Sequence, residues 1–181
     1  MKLVFLGPPG AGKGTQAERV AEALDLAHVS TGEMFRWHVS EGTELGLEVS
    51  AIMERGDLVP DSLTISMLND HIHRSQATNG YILDGFPRTR PQAEALDAAI
   101  GSEALSGVVV LDVPEAMLIE RLLSRGRADD SEDSVRNRLN LYAEDTEPLI
   151  DFYRLRGIVV SVNGVGGVDD ITPRILAALD V

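Results

Sequence analysis

Cysteine is absent from the 181 residues, and with it go disulfides, thiolate zinc sites, iron–sulfur clusters and cysteine nucleophiles. The absence fits a chain that works in a reducing cytosol. Lysine is nearly absent too: Lys2 and Lys13 are the only two, so arginine supplies the rest of the 16 basic residues. Neither lysine follows an asparagine, so no Asn-Lys-x-Asp guanine motif exists and a GTPase-like switch is excluded. Long hydrophobic runs are missing as well. The opening stretch Met1–Leu6 meets Gly7-Pro8-Pro9 at once, too soon for a signal peptide or a membrane span. A soluble, cytoplasmic protein without a membrane partner is expected. Positive charge is scarce overall, with 16 basic residues against 29 acidic and a formal net charge of -13. That balance repels a phosphate backbone and argues against a nucleic-acid partner. Any phosphate site has to be local.

What is present reads as one folded unit. At 44% hydrophobic and 25% charged residues the composition is that of a globular domain, and disordered, collagen-like and fibrous classes drop out. There is no internal repeat and no low-complexity linker. Short β-rich runs at Leu3–Leu6, His28–Val29, Tyr81–Leu83, Val108–Leu111 and Ile158–Val162 alternate with helical periodicity. The periodic stretches are Lys13–Leu24, Gly32–Val39, Glu44–Arg55, Ser62–Ser75, Arg90–Ile100, Pro114–Ser124, Ser134–Leu155 and Val168–Leu179. Strand and helix in alternation predict a parallel α/β sheet. Between the second and third strands lie three helical patterns where one crossover would do, so an insert over residues 30–59 is expected to project from the sheet.

The strongest local signal is Gly7-Pro8-Pro9-Gly10-Ala11-Gly12-Lys13-Gly14-Thr15, directly after an apolar strand and directly before a helix. This is the context of a phosphate-binding P-loop: glycines let backbone N–H groups converge on phosphate oxygens, and the helix start adds a positive dipole end. Lys13 brings the mobile charge. Gly14 stands where the general motif has Ser or Thr, and the hydroxyl arrives one residue later at Thr15.

Further along, Ser30 and Glu33 have capping-box spacing at a helix start. Asp84-Gly85-Phe86-Pro87-Arg88 follows the apolar Tyr81-Ile82-Leu83, which places Asp84 at the carboxyl end of a strand, where ligand sites gather in open α/β sheets. Arg121, Arg125, Arg127, Arg136 and Arg138 crowd together in an otherwise acidic chain. Read alone, Gly56–Val59 is a turn, Gln92 a surface glutamine and Arg136 part of a charged helix face. None of the four histidines sits in a motif, and His28, His38, His71 and His73 are assigned to structure or surface.

The Gly-Lys-Gly-Thr ending of the loop resembles the nucleoside monophosphate kinases, specifically the adenylate kinases, and the resemblance runs from Leu3 to Gly166. It implies a P-loop NTPase three-layer α/β fold with a five-stranded parallel sheet. The core would comprise residues 1–29, 60–125 and 133–181, with a monophosphate-binding insert at 30–59 and a short lid at 126–132. It implies reversible phosphoryl transfer from MgATP to AMP, giving two ADP. ATP would lie against Gly10, Ala11, Gly12, Lys13, Gly14, Thr15, Arg121, Arg125 and Gly166. AMP would lie against Thr31, Arg36, Asp57, Leu58, Val59, Gly85, Phe86, Pro87, Arg88, Gln92, Arg127 and Arg138. Lys13, Arg88, Arg125, Arg127 and Arg138 would be the catalytic residues, Lys13 on the ATP phosphates, Arg88 with Arg36 on AMP and Arg125, Arg127 and Arg138 on the group in flight, with Asp129 and Asp130 holding the arginines by ion pairs. Thr15 and Asp84 are candidates for the water shell of Mg²⁺, and no side chain is assigned as a direct metal ligand. Long-lidded relatives sometimes carry a zinc site; with so few residues in its lid and no cysteine, this chain is expected to hold no structural zinc. The family implies a monomer. A kinase for UMP or CMP is the nearest rival, against which Thr31 and Gln92 argue, and a P-loop scaffold that binds ATP without turnover is a second.

Overall fold

In the computed structural model, residues 1–74, 79–100 and 105–181 are described, with the side chains of 72–74 left aside. The end of the expected helix at Ser75 and the side chain of His73 lie outside the described residues. Strands β1 (Lys2–Leu6), β2 (Ala27–Ser30), β3 (Tyr81–Asp84), β4 (Gly107–Asp112) and β5 (Val159–Asn163) form one sheet in the order β2-β3-β1-β4-β5. Every pairing is parallel. Helices α1 (Lys13–Leu24), α2 (Thr31–Ser40), α3 (Glu44–Arg55), α4 (Asp61–Arg74), α5 (Arg90–Ile100), α6 (Glu115–Arg125), α7 (Glu132–Leu141), α8 (Pro148–Arg154) and α9 (Val168–Ala178) complete the chain.

The period-two geometry of β1 explains its unbroken apolar run. Leu3 and Phe5 enter one core layer with Ala17, Val20 and Ala21 of α1, Leu118 of α6 and Ile171 and Ile175 of α9. Val4 and Leu6 enter the opposite layer with Leu68 of α4, Ala93 and Leu96 of α5, and Leu149 and Tyr153 of α8. A parallel sheet covered on both faces has no polar side. Each of the buried Leu, Val and Ile side chains contributes about 2 kcal/mol of transfer free energy. The segment between β2 and α4 has a small core of its own, in which Phe35, Val49 and Val59 pack with Met67. Thr43 caps α3 by accepting from Gly46 N–H at 3.1 Å.

The single helix expected over Ser134–Leu155 is interrupted. After α7 the backbone widens into a π turn at Tyr142–Thr146, and α8 restarts at Pro148. Pro148 lacks an N–H and its ring cannot follow an α-helical turn. The widened turn absorbs that conflict and sets Thr146, whose hydroxyl donates to the Arg88 carbonyl at 2.8 Å.

Candidate active site

Because all five strands are parallel, their carboxyl ends open on one edge, and the loops leaving them meet there. A cleft of about 510 Å³ occupies this edge. It is lined by every residue named from the sequence as touching a nucleotide except Phe86, and by Asp129 but not Asp130 of the two supporting aspartates. The Phe86 side chain is instead buried in a core cluster with Leu83, Ala93 and Leu96, which leaves its backbone as the part that can meet a ligand. Asp84 and Gly85 before it and Pro87 and Arg88 after it all face the cleft.

On the loop side, the Lys13 ammonium donates to the carbonyls of Gly7 at 2.7 Å and Pro8 at 2.9 Å. Desolvation, opposed by Asp84 and reinforced by Arg88 and Arg125, lowers its pKa to about 8. Asp84 stands opposite. Burial alone would raise its pKa, but His28, Lys13 and Arg88 outweigh that and hold it below the usual carboxylate range, so it is ionised. The unusual Gly14 has a reason here. A Cβ at this position would lie 3.3 Å from Asp84 Oδ2, so any side chain would crowd the carboxylate. The hydroxyl of the loop therefore comes from Thr15.

Two neighbours of Asp84 differ from their sequence reading. Ser30 does not close a capping box; its hydroxyl donates to Asp84 Oδ2 at 3.1 Å, and no side chain caps α2. His28 Nε2 lies 3.9 Å from the same oxygen, an ion-pair distance beyond hydrogen-bond reach. The histidine is thus structural, yet it belongs to the electrostatic surroundings of the site.

On the insert side, the carbonyl of Gly85 accepts from Thr31 Oγ1 at 2.9 Å and from Arg88 Nε at 2.9 Å. Burial, together with Arg138, lowers the Arg88 pKa while Asp84 raises it, and the guanidinium stays charged at neutral pH. Gln92 is no surface glutamine: it is 2% exposed. Its Oε1 accepts from Arg88 N–H at 2.8 Å, and its Nε2 donates to Asp61 at 2.7 Å. Asp57 reaches the cleft wall, but its carboxylate is engaged by Arg55 Nε at 2.8 Å and Asn137 Nδ2 at 2.8 Å.

The third wall is cationic. Arg125 forms two bonds to Asp130, at 2.9 and 2.6 Å. Arg138 pairs with Asp129 and also reaches Asp130 at 3.1 Å. Arg127 donates its backbone N–H to Asp130 at 3.2 Å, which turns the short segment after α6 into a tight loop. Arg121 donates to the Gly164 carbonyl at 3.3 Å, tying α6 to the loop after β5 that carries Gly166. Arg136 stays outside this group, exposed and paired with Glu132 one turn away. Burial lowers the pKa of both Arg36 and Arg127, and repulsion from neighbouring guanidinium groups lowers each further. A cleft that holds Arg36, Arg88, Arg125, Arg127, Arg138 and Lys13 in an acidic protein is an anion site able to neutralise several phosphate charges at once.

Asp61 and Asn137 escaped the sequence reading. No local pattern marks them, because each acts on a residue far away in the chain.

The comparisons with known proteins agree with this chemistry. The family model described as adenylate kinase matches residues 5–158. The chain is 49% identical over 181 residues to an adenylate kinase of Nocardia farcinica, covering 99% of both chains. It is 48% identical over 181 residues to one of Synechococcus sp. (strain CC9902), covering 99% of this chain and 98% of the relative. Against an adenylate kinase of Stenotrophomonas maltophilia (strain R551-3) the identity is 46% over 185 residues, with 99% of each covered. The agreement spans the loop, the insert and the arginine wall alike, and the chain belongs to the adenylate kinase family.

Proposed function

We propose how the cleft divides the work of the family's reaction, the reversible transfer of the terminal phosphoryl group of MgATP to AMP to give two ADP. The P-loop from Gly10 to Thr15, with Arg121, Arg125 and the backbone near Gly166, receives ATP. Thr31, Arg36, Asp57, Leu58, Val59, Gly85, Pro87, Arg88 and Gln92 receive AMP, and Arg127 and Arg138 close over both phosphate chains. The observation that carries the assignment is the convergence of Lys13, Arg36, Arg88, Arg125, Arg127 and Arg138 on one cleft.

The AMP phosphate has its second pKa at about 6 and is largely dianionic at neutral pH, so the nucleophile needs no general base. Positioning and charge then account for the rate. Lys13 neutralises ATP phosphate oxygens, Arg36 and Arg88 hold the AMP phosphate in line, and Arg125, Arg127 and Arg138 act on the charge that spreads over the group in transfer. Asp130 and Asp129 hold two of these guanidinium groups before substrate arrives, which removes reorganisation from the barrier.

Magnesium enters as part of the ATP substrate. Among the described residues no three acidic or histidine side chains cluster as a metal site. An ionised Asp84 and the Thr15 hydroxyl, both on the cleft wall, suit an outer role on metal-bound water, where the ion offsets phosphate charge.

Residues 30–59 act as the monophosphate-binding insert and 126–132 as a short lid, the remainder being the core. The separate packing of Phe35 and Val49 supports the first boundary. Closure of both over the nucleotides excludes water and prevents ATP hydrolysis. We assign the protein to the cytoplasm as a monomer, with nucleotides as its partners, no nucleic acid or membrane, and no structural zinc; the lack of cysteine and the net charge of -13 support this. No helix among the described residues is long and apolar enough to cross a membrane.

The test is ADP formation from MgATP with AMP, CMP, UMP or GMP offered in turn, beside a water-only control. Turnover with AMP far above all others is expected. Preference for another monophosphate would overturn the base pocket, and ATP binding without transfer would overturn the arginine roles.

A further inference from the structure

The geometry points to Asp61 as the residue that fixes acceptor-base specificity by locking the orientation of the Gln92 amide. The inference rests on the reading above that Gln92 faces the base of the acceptor.

Gln92 sits inside a closed polar triangle. Asp61, the first residue of α4, accepts from Gln92 Nε2 at 2.7 Å. Thr89 Oγ1 donates to the two Asp61 oxygens at 3.1 and 3.0 Å and accepts from Gln92 N–H at 3.3 Å. On its other side Gln92 Oε1 accepts from the backbone N–H of Arg88 at 2.8 Å. The chemistry of these partners admits one amide orientation. A backbone N–H can only donate and an ionised carboxylate can only accept. Rotating the amide by half a turn would set N–H against N–H at Arg88 and oxygen against carboxylate at Asp61, in a side chain that is 2% exposed.

One N–H and one oxygen lone pair of Gln92 remain for a ligand, and their order along the amide is now fixed. Adenine offers a donor at N6 beside acceptors at N7 and N1, which an amide in a single orientation can match. Guanine and hypoxanthine carry an acceptor at O6 in place of the N6 donor, and a donor at N1 in place of the acceptor. Pairing with their N1/O6 edge requires the opposite amide orientation. An unlocked glutamine would turn over and accept either base; a locked one rejects the 6-oxo purines. The fixed acceptor on one side and the fixed donor on the other thus turn a symmetric side chain into a one-way reader. Asp61 is a positioning residue in this scheme and touches no substrate.

The test compares kcat/KM for AMP, IMP and GMP at saturating MgATP in the wild type, Asp61→Asn, Asp61→Ala and Gln92→Ala. Asn at this position can offer either a donor or an acceptor, so the Asp61 half of the lock is released while the shape is kept, and the amide is left with the Arg88 N–H as its one remaining orienting partner. The ratio of kcat/KM for AMP to that for IMP is expected to fall at least tenfold in Asp61→Asn, through a gain with IMP, and Asp61→Ala follows in the same direction. If both Asp61 variants keep the wild-type ratio, or lose activity on both acceptors equally, while Gln92→Ala collapses the ratio, then Gln92 reads the base and Asp61 does not orient it. If Gln92→Ala itself keeps the ratio, the base-side reading falls and the lock falls with it. Melting midpoints of all variants separate a general loss of fold from a change in selectivity.

Discussion

Asp130 holds Arg125 through both carboxylate oxygens, at 2.6 and 2.9 Å, from a side chain that is 1% exposed. The same carboxylate meets Arg138 and the Arg127 backbone N–H, so one buried acid orders three separate pieces of the cationic wall. Asp130→Ala is expected to leave the arginines present but unheld. The kcat should fall by about 10²-fold, the cost of small misplacement in a positioned site, with KM for either nucleotide changing far less. Burial opposes ionisation of Asp130, but Arg125, the Arg127 N–H and Arg138 outweigh it, so its folded pKa is depressed. A depressed carboxylate stabilises the fold above its unfolded value, about pH 4, and loses that contribution as the pH falls through its folded value. The wild type should therefore lose its stability advantage over Asp130→Ala in strongly acidic melts. An advantage that persists there, or an unchanged kcat, would show that the ion pairs are incidental.

Lys13 gives a prediction on the alkaline side. Its folded pKa of about 8, set first by desolvation, means that the free protein begins to lose this charge within a unit or so of neutrality. Bound phosphates favour the charged form, so MgATP affinity should weaken as the pH rises through about 8, and titration calorimetry across that range measures it. Lys13→Met should bind more weakly at all pH values and show no such inflection. An inflection that survives in Lys13→Met belongs to another group.

Local patterns carried most of the fold and half of the site. The glycine spacing of the P-loop, the apolar alternation of β1 and the crowding of arginines after Arg121 all lie within short windows, and short windows are what a sequence shows. The Phe86 side chain packs into the core among Leu83, Ala93 and Leu96 while its neighbours on both sides line the cleft, a division that a motif read as a string does not show. The break at Pro148 was hidden by apolar periodicity that continues on either side of it. Contacts such as Asn137 to Asp57, 80 residues apart, and Asp61 to Gln92, 31 apart, leave no periodic trace and appear only when the sheet brings the loops together.

His28 was assigned to structure, and its setting makes that role depend on pH. Burial is the largest single influence and lowers its pKa, but Asp84, Glu33 and Glu18 together outweigh it and the net shift is upward. A histidine raised in the folded state contributes stability that is full below its unfolded value of about 6.5 and is lost as the pH rises through the folded value. Thermal melts of wild type and His28→Gln should differ most below about pH 6.5 and converge as the pH rises through the folded value above it. A difference that stays constant across this range would mean that packing, and not the charge facing Asp84, is what His28 supplies.

Asn137 ties the insert to the arginine wall. Its Nδ2 donates to the Arg55 carbonyl at 2.9 Å and to Asp57 Oδ1 at 2.8 Å, bridging α7 to the turn that leads from α3 to Leu58 and Val59. The two surfaces meet closely: a Cβ on Gly56, where φ is +76°, would stand 2.6 Å from the Ser134 carbonyl. Arg138 follows Asn137 on the same helix, so the grip on the Asp57 wall of the cleft and the Arg138 guanidinium share a rigid support. Removing the amide in Asn137→Ala should loosen the AMP-side wall without touching the P-loop. A hydrogen bond of this kind contributes about 1 kcal/mol, which corresponds to a rise of about fivefold in KM for AMP. KM for ATP should stay within about twofold, because the bonds that Asn137 donates go to Arg55 and Asp57 and not to the Lys13 loop. Asn137→Asp places a carboxylate against Asp57 and should raise KM for AMP further, and adding Asp57→Asn should recover part of the loss by exchanging donor and acceptor. If KM for both nucleotides rose together, or the double variant were no better than Asn137→Asp alone, the bridge would be a general brace of α7 and not a latch on the acceptor pocket.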